Sequence, residues 1–258
     1  MVDEEQDKVV EVLEPVKREE IPEKARSTVD VSGWTPKTEL GKKVKSGEIT
    51  DMDQILDNGK KIRETEIIDV LLPGTEIDLL LIGQARGKFG GGKRRIFRQT
   101  QKKTQEGNKP HFMTIAVIGN KDGFVGIGAG KSKETVPARE KAYRNAKLNI
   151  IKIRRGCGSW QCGCNTGHSI PFKVKGKCGS IEMEFMPAPK GTGLKAEKEC
   201  QKILTLAGIT DIWSRTRGTT TTKINLVYAC FDALKKLMTT KIRQEHYAKL
   251  GILEGAHK

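Results

Sequence analysis

Apolar positions along this chain switch repeatedly between the period of a helix and that of a strand, and the switches mark out its elements. Met52, Ile55 and Leu56 share one face of a short helix starting near Thr50. Ile67, Ile68, Leu71 and Leu72 give helical spacing over 62–72, which stops at Pro73-Gly74. A strand is predicted from Ile77 to Ile82. Farther on, Phe112 to Ile118 and Phe124 to Ile127 are β-rich runs joined by Asn120, Lys121, Asp122 and Gly123, a hairpin signal. Pro137 suits the first turn of the next helix, where Ala138, Ala142, Ala146 and Ile150 recur to make a smooth packing face. The order so far is α-β-β-β-α.

A second series follows. Ile170 to Met186 alternates like a hairpin with Gly176, Cys178 and Gly179 near its turn, and Pro187 and Pro189 close it. Ala196, Cys200, Ile203 and Ala207 mark a helix ended by Gly208. A strand fits Asp211 to Ser214, and Ile224, Val227, Phe231, Leu234 and Met238 mark a last helix, giving β-β-α-β-α. Strands and helices intermix without regular β-α-β alternation. The expected class is therefore α+β, two small domains, each an antiparallel or mixed sheet with helices on one face. The expected division is an acidic tail over 1–33, an arm over 34–61, a first domain over 62–155, a Cys-rich linker over 156–170, a second domain over 171–240 and a C-terminal tail over 241–258.

Charge gives the partner class. The 258 residues hold 47 Lys and Arg against 32 Asp and Glu, a net charge of +15, which favours a polyanion such as nucleic acid. Residues 1–30 run the other way, with ten acidic and five basic side chains and too little apolar surface to offset ordering entropy, so a disordered tail is expected there. Aromatic residues make up only 5%, which disfavours a reader that stacks base after base and favours backbone contact with folded or duplex RNA. No apolar run approaches the roughly 18 residues of a membrane span, and no signal peptide opens the chain. A cytosolic protein without a membrane partner is expected.

Four places concentrate candidate RNA-binding residues. Residues 84–111 carry nine cations, Arg86, Lys88, Lys93, Arg94, Arg95, Arg98, Lys102, Lys103 and Lys109, against the single acid Glu106. Gly90, Gly91 and Gly92 let backbone amides approach phosphates there, and the segment from Gly87 to Lys109 is expected to order only against RNA. Lys131 and Lys133 precede the Pro137 helix, and Lys141, Arg144 and Lys147 make a stripe along it. Lys190, Gly191, Thr192 and Gly193 lie between strand and helix, where unpaired amides can meet a phosphate. Arg215, Arg217 and the Thr219 to Lys223 segment repeat that arrangement before the last helix. A solvated surface is the plain alternative for the 84–111 run and the Pro137 helix, and a plain turn is the alternative for Lys190 to Gly193.

Catalysis has weaker support. Gly87, Gly92 and Lys93 match seven positions of a nucleotide-binding P-loop, but Arg94 stands where a Mg²⁺-binding Ser or Thr is needed. Gly128 to Ser132 ends correctly yet has Val125 where the motif's first Gly belongs. No Ser-His-Asp set or carboxylate pair stands out, so no enzyme is expected. Cys157, Cys162, Cys164 and Cys178 supply four thiols that can make one structural zinc site, His168 can replace one of them, and free reduced thiols are the alternative. Cys200 and Cys230 fall on apolar helical faces and are expected in the core.

Read in order, several of these segments resemble the small-subunit ribosomal protein five family. They are Gly90 to Arg95, Val125-Gly126-Ile127-Gly128 with Gly130-Lys131, Pro187 to Gly193, Ala207-Gly208-Ile209, Arg217-Gly218 and Thr219 to Asn225. The likeness runs from Glu64 to Leu237; the arm with Trp34, Pro36, Leu40 and Gly41 resembles archaeal and eukaryotic members more than bacterial ones, and the Cys157 to Cys164 insert points to the archaeal side. It implies a first domain similar to a double-stranded-RNA-binding fold and a second of the left-handed β-α-β type. It also implies a structural role on small-subunit rRNA beside small-subunit proteins four and eight, close to where mRNA enters, with a part in assembly and decoding accuracy. A free structured-RNA-binding protein and, more remotely, a P-loop hydrolase are the other functional classes.

Overall fold

The structure, a computed structural model, describes residues 34–84 and 94–256. The acidic tail expected over 1–33 lies outside these residues. Three short helices open the fold: α1 (Glu39–Lys45), α2 (Met52–Asp57) and α3 (Glu66–Leu71). Strands β1 (Glu76–Leu79), β2 (Arg98–Thr104), β3 (Gly107–Gly119) and β4 (Phe124–Ser132) follow, then α4 (Thr135–Leu148) and the short strands β5 (Ile150–Lys152) and β6 (Arg154–Arg155). The second half holds β7 (Val174–Cys178), β8 (Ile181–Pro187), β9 (Leu194–Lys195), α5 (Lys198–Leu206), β10 (Ile212–Arg217), α6 (Lys223–Thr239), α7 (Gln244–Leu250) and β11 (Leu253–Glu254). The α+β class holds, and both hairpins and the main helices form where the periodicity puts them.

In the first sheet β3 is the organising strand. Its second half pairs with β1 and its first half with β2 on the same edge, while β4 pairs along the other edge and carries β5. The strand period then splits the apolar residues between two faces. Ala116, Ile118 and Phe124 face α4 and the N-terminal helices, whereas Ile115, Val117, Val125 and Ile127 join the core of the second domain. Gly126, Gly128 and Gly130 lie under α4 so closely that a Cβ on any of them would overlap the helix backbone. The alanine face of α4 and this glycine stripe are thus two halves of one close contact.

The second sheet has the order β7-β8-β10-β9, with β9 and β10 parallel across the α5 crossover. Its inner face, including Met183, Phe185 and Ile212, packs with Ile203, Leu204, Val227 and Leu234 of α5 and α6.

Three expectations need correction. The first sheet is covered on both faces, because the second domain contributes its other layer. The arm over 34–61 is no appendage: Val44, Met52 and Ile55 are buried in one cluster with Ile67, Ile68 and Ala146. Glu64 fixes its start by accepting from Trp34 Nε1 at 3.1 Å and from the Lys37 and Thr38 amides. The segment 241–258 is not a tail through its described part, since β11 pairs with β6 and the Cys157 amide donates to Leu250 O.

That last junction is held by buried charge. Arg154 donates through Nη1 to Leu237 O at 2.9 Å and Thr240 O at 2.7 Å, and through Nε to Glu254 at 2.7 Å. Arg155 meets Asp122 and Gly255 O. One planar fork therefore satisfies the end of α6 and fixes the C-terminal strand, which a single ammonium cannot reproduce. Arg154→Met should cost about 3–5 kcal/mol, because two carbonyls and a carboxylate lose their partner inside the protein, and Arg154→Lys should recover little of it. Chemical denaturation of the three proteins checks this.

Candidate functional site

The basic stretch predicted as a loop is in part a ribbon. Residues 100–104 of β2 and 107–111 of β3 extend beyond the β3–β4 pairing of the first sheet, and β2 is exposed along almost its whole length. Residues 98–109 are thus strand and turn where a loop was expected, and residues 85–93 of the same stretch lie outside the described residues. A two-stranded ribbon lacks a core of its own. Its base supplies one: Phe97 and Phe112 meet edge to face at 6.5 Å, and Arg139 of α4 lies 5.7 Å from the Phe97 ring.

Strand pairing sorts the cations. Arg98 lies opposite Met113, Thr100 opposite His111 and Lys102 opposite Lys109, so Arg98, Lys102, Lys109 and His111 share one face and Lys103 takes the other. His111 continues this face into an open depression of about 560 Å³ lined also by Lys131, Ser132, Lys133, Glu134, Pro137 and Lys141, with one acid among the cations. The end of β4 and the first turns of α4 thus bring cations far apart in sequence to one concave surface. Arg144 is exposed farther along α4. Arg94 is half-buried and its carbonyl neighbour Arg95 accepts from the Gly83 amide at 2.8 Å. Arg86, Lys88, Gly90, Gly91, Gly92 and Lys93 lie outside the described residues.

Two proposed cations do not face solvent as expected. Lys147 is drawn 2.7 Å from Asp69 of α3 and is largely buried, so it ties helix to helix. Lys223 lies 2.9 Å from Glu197, joining α6 to the start of α5. The turn at Lys190 also differs from the expectation of free amides. Thr192 N donates to Pro189 O and Gly193 N to Asp211 Oδ1 at 2.8 Å, leaving Lys190 and Gly191 as its exposed part.

The outer face of the second sheet sets the expected Arg215 and Arg217 beside Lys173, Lys175 and Lys177, cations the sequence reading missed. Glu182 and Glu184 on β8 are flanked by Lys177 and Lys175 on one side and by Arg217 and Arg215 on the other. Lys173 adds a further cation, pairing with Glu184. Hydrogen bonding from Lys177, then its charge and that of Arg217, hold the Glu182 carboxyl below its ordinary range. The alternation Lys173-x-Lys175-x-Lys177, strand period on a predicted hairpin, was the available signal.

The second P-loop candidate is excluded by its packing. Gly128 to Ser132 is part of β4, and Gly128 and Gly130 are filled by α4 rather than open to a phosphate.

The segment 156–170 closes into a compact loop instead of a linker. Gly156 and Ser169 pair at its neck, bringing Cys157 opposite His168. The ligand atoms of Cys157, Cys162, Cys164 and His168 all lie within 4.8 Å of one another. Cys178 does not join them; it sits at the β7–β8 turn opposite Ile181, so His168 takes the place expected of the fourth thiol. Burial, with hydrogen bonding to Cys164 and Cys162, pushes the Cys157 thiol up to about 11, whereas Thr166 pulls Cys164 down to about 6. Three sulfurs and an imidazole at this spacing are a donor set that could hold one tetrahedral metal ion. Cys200 and Cys230 are buried in the second core.

Comparison with known proteins agrees across both domains. The family profile described as "Ribosomal protein S5, N-terminal domain" matches residues 96–154, and "Ribosomal protein S5, C-terminal domain" matches residues 176–248. The chain is similar to small ribosomal subunit protein uS5 of Nanoarchaeum equitans, 50% identical over 228 residues, which is 88% of this chain and 98% of that protein. It is similar also to small ribosomal subunit protein uS5 of Methanocaldococcus jannaschii, 47% identical over 226 residues, 88% of this chain and 97% of that protein.

The ribbon's dependence on its aromatic base is open to test. Phe97→Ala should loosen the ribbon by about 1–2 kcal/mol, through the lost edge-to-face and cation–π contacts. Amide exchange should quicken over residues 98–112 and stay unchanged in the second domain.

Proposed function

The chain belongs to the ribosomal protein S5 family, and on that premise we propose that it is a structural constituent of the small ribosomal subunit that binds rRNA with its cationic surfaces. The observation that carries the mode of binding is the continuity of the ribbon face with Lys131, Lys133 and Lys141 around one open depression. Its exposed lysines suit a nucleic-acid backbone, since cations on an open polar surface neutralise phosphates without reading bases. Arg215 and Arg217, on the open face of the second sheet, form a separate contact of the same kind. Membership of the subunit places the protein in the cytoplasm, and among the described residues no helix is long and apolar enough to cross a membrane.

The family is one of ribosomal proteins and not of enzymes, so catalysis has no part in this reading. Contacts with small-subunit proteins four and eight, a position close to where mRNA enters, and a part in assembly and decoding accuracy are supported by the family resemblance. One structural zinc on Cys157, Cys162, Cys164 and His168 completes the proposal. Such an ion would replace the missing core of a glycine-rich loop by direct bonds and contribute folding energy there.

Replacing Lys131, Lys133 and Lys141 together by Ala should lower the slope of log affinity for rRNA against log salt by about 2–3 units, with circular dichroism unchanged. An unaltered slope would reduce the surface to a solvated one. Protein purified under reducing conditions should carry one equivalent of zinc by elemental analysis. Cys178→Ser should keep it and Cys162→Ser should lose most of it.

A further inference from the structure

His168 faces two ways. Its Nε2 lies 3.8 Å from Cys162 Sγ, among the three sulfurs, while Nδ1 lies 2.9 Å from Asp211 Oδ2. Both side chains are buried, His168 at 9% and Asp211 at 4% exposure. This geometry suits the tautomer a metal ligand requires, with a lone pair at Nε2 toward the ion and a hydrogen at Nδ1 toward a carboxylate that fixes the ring. Asp211 is engaged on its other oxygen as well. Oδ1 accepts from the Gly193 amide at 2.8 Å, and Thr210 Oγ1 donates to Oδ2 at 2.9 Å. The backbone repeats the link, because the Thr210 and Asp211 amides both donate to His168 O.

We infer that Asp211 is a positioning residue that couples a metal ion on the Cys157, Cys162, Cys164 and His168 cluster to the Lys190–Gly193 turn of the second domain. The inference rests on the zinc reading above and assigns what the ion controls. An ion on Nε2 fixes the imidazole plane and strengthens the Nδ1 hydrogen as a donor. The carboxylate is then held in the one orientation that leaves Oδ1 aimed at Gly193. With Gly193 fixed, Ile212 N reaches Gly193 O at 3.2 Å and β9 enters the sheet beside β10. The exposed Lys190 stands at the head of this turn. The ion therefore sets the geometry of a cation that lies in a different domain from any of its thiol ligands.

An Asn at 211 tests the coupling with little change of volume. Its single carbonyl oxygen can accept from His168 or from Gly193, and its NH₂ faces the other donor, so one of the two links breaks. The experiment uses the full chain, stripped with a chelator under reducing conditions and titrated with zinc sulfate, with bound zinc and amide exchange at Gly193 measured together. Wild type should take up one zinc and show slower Gly193 exchange on loading. Asp211→Asn should bind zinc about 10- to 100-fold more weakly, and at saturating zinc its Gly193 exchange should not respond. Failure of the wild type to bind zinc would remove the underlying zinc reading. Stoichiometric zinc with no change at Gly193, or an Asp211→Asn protein that responds as wild type does, would overturn the coupling and leave the zinc reading standing.

Discussion

The first sheet must bury both of its faces, and the rest of the structure depends on how it does so. A strand that alternates apolar residues to two sides cannot remain in water on either. One side takes α4 with the N-terminal helices, and the other takes the second domain. Ile115, Val117, Val125 and Ile127 of the first sheet lie in the same cluster as Ile203, Leu204 and Leu206 of α5. Backbone bonds seal this seam: the Lys121 amide donates to Leu206 O and the Gly123 amide to Ala207 O. Gly119 and Gly208 keep it close, since a Cβ on either would overlap a facing carbonyl. Two units that each look like small domains along the chain thus share a core, which fixes their cationic surfaces relative to one another.

With both faces of that sheet occupied, its exposed chemistry is confined to edges and ends. The ribbon of β2 and β3 leaves the body where the apolar pattern of β3 gives way to Gly107, Asn108 and Lys109. There a run of cations stays solvated. The second sheet has α5 and α6 on one face alone, so its outer face is free to carry Lys175, Lys177, Arg215 and Arg217 around two glutamates. The glutamates limit mutual repulsion among the cations without cancelling their excess. In both domains the cations lie where packing leaves backbone and side chains open.

The segment between the domains solves another problem. Residues 156–170 are rich in Gly and Cys and poor in apolar side chains, too little to hold a fold by burial. The neck at Gly156 and Ser169 and the strap from Leu250 hold it instead, and they gather the three sulfurs around His168.

The sequence by itself determined the elements, the fold class and the kind of partner. Those follow from local periods, turn residues and net charge, as at Asn120 to Gly123 and along the alanine face from Ala138 to Ala146. It also contained the thiols of the cluster, because their spacing is local. Tertiary structure decided what depends on distance across the chain. Lys147 and Lys223 read as free cations until Asp69 and Glu197 are brought beside them. Cys178 reads as a ligand until the hairpin carries it away and the neck of the loop puts His168 in its place. Gly193 reads as an open amide until Asp211, 18 positions on, occupies it. Charge and periodicity are properties of a residue and its near neighbours, whereas pairing is a property of the packed core that chooses those neighbours.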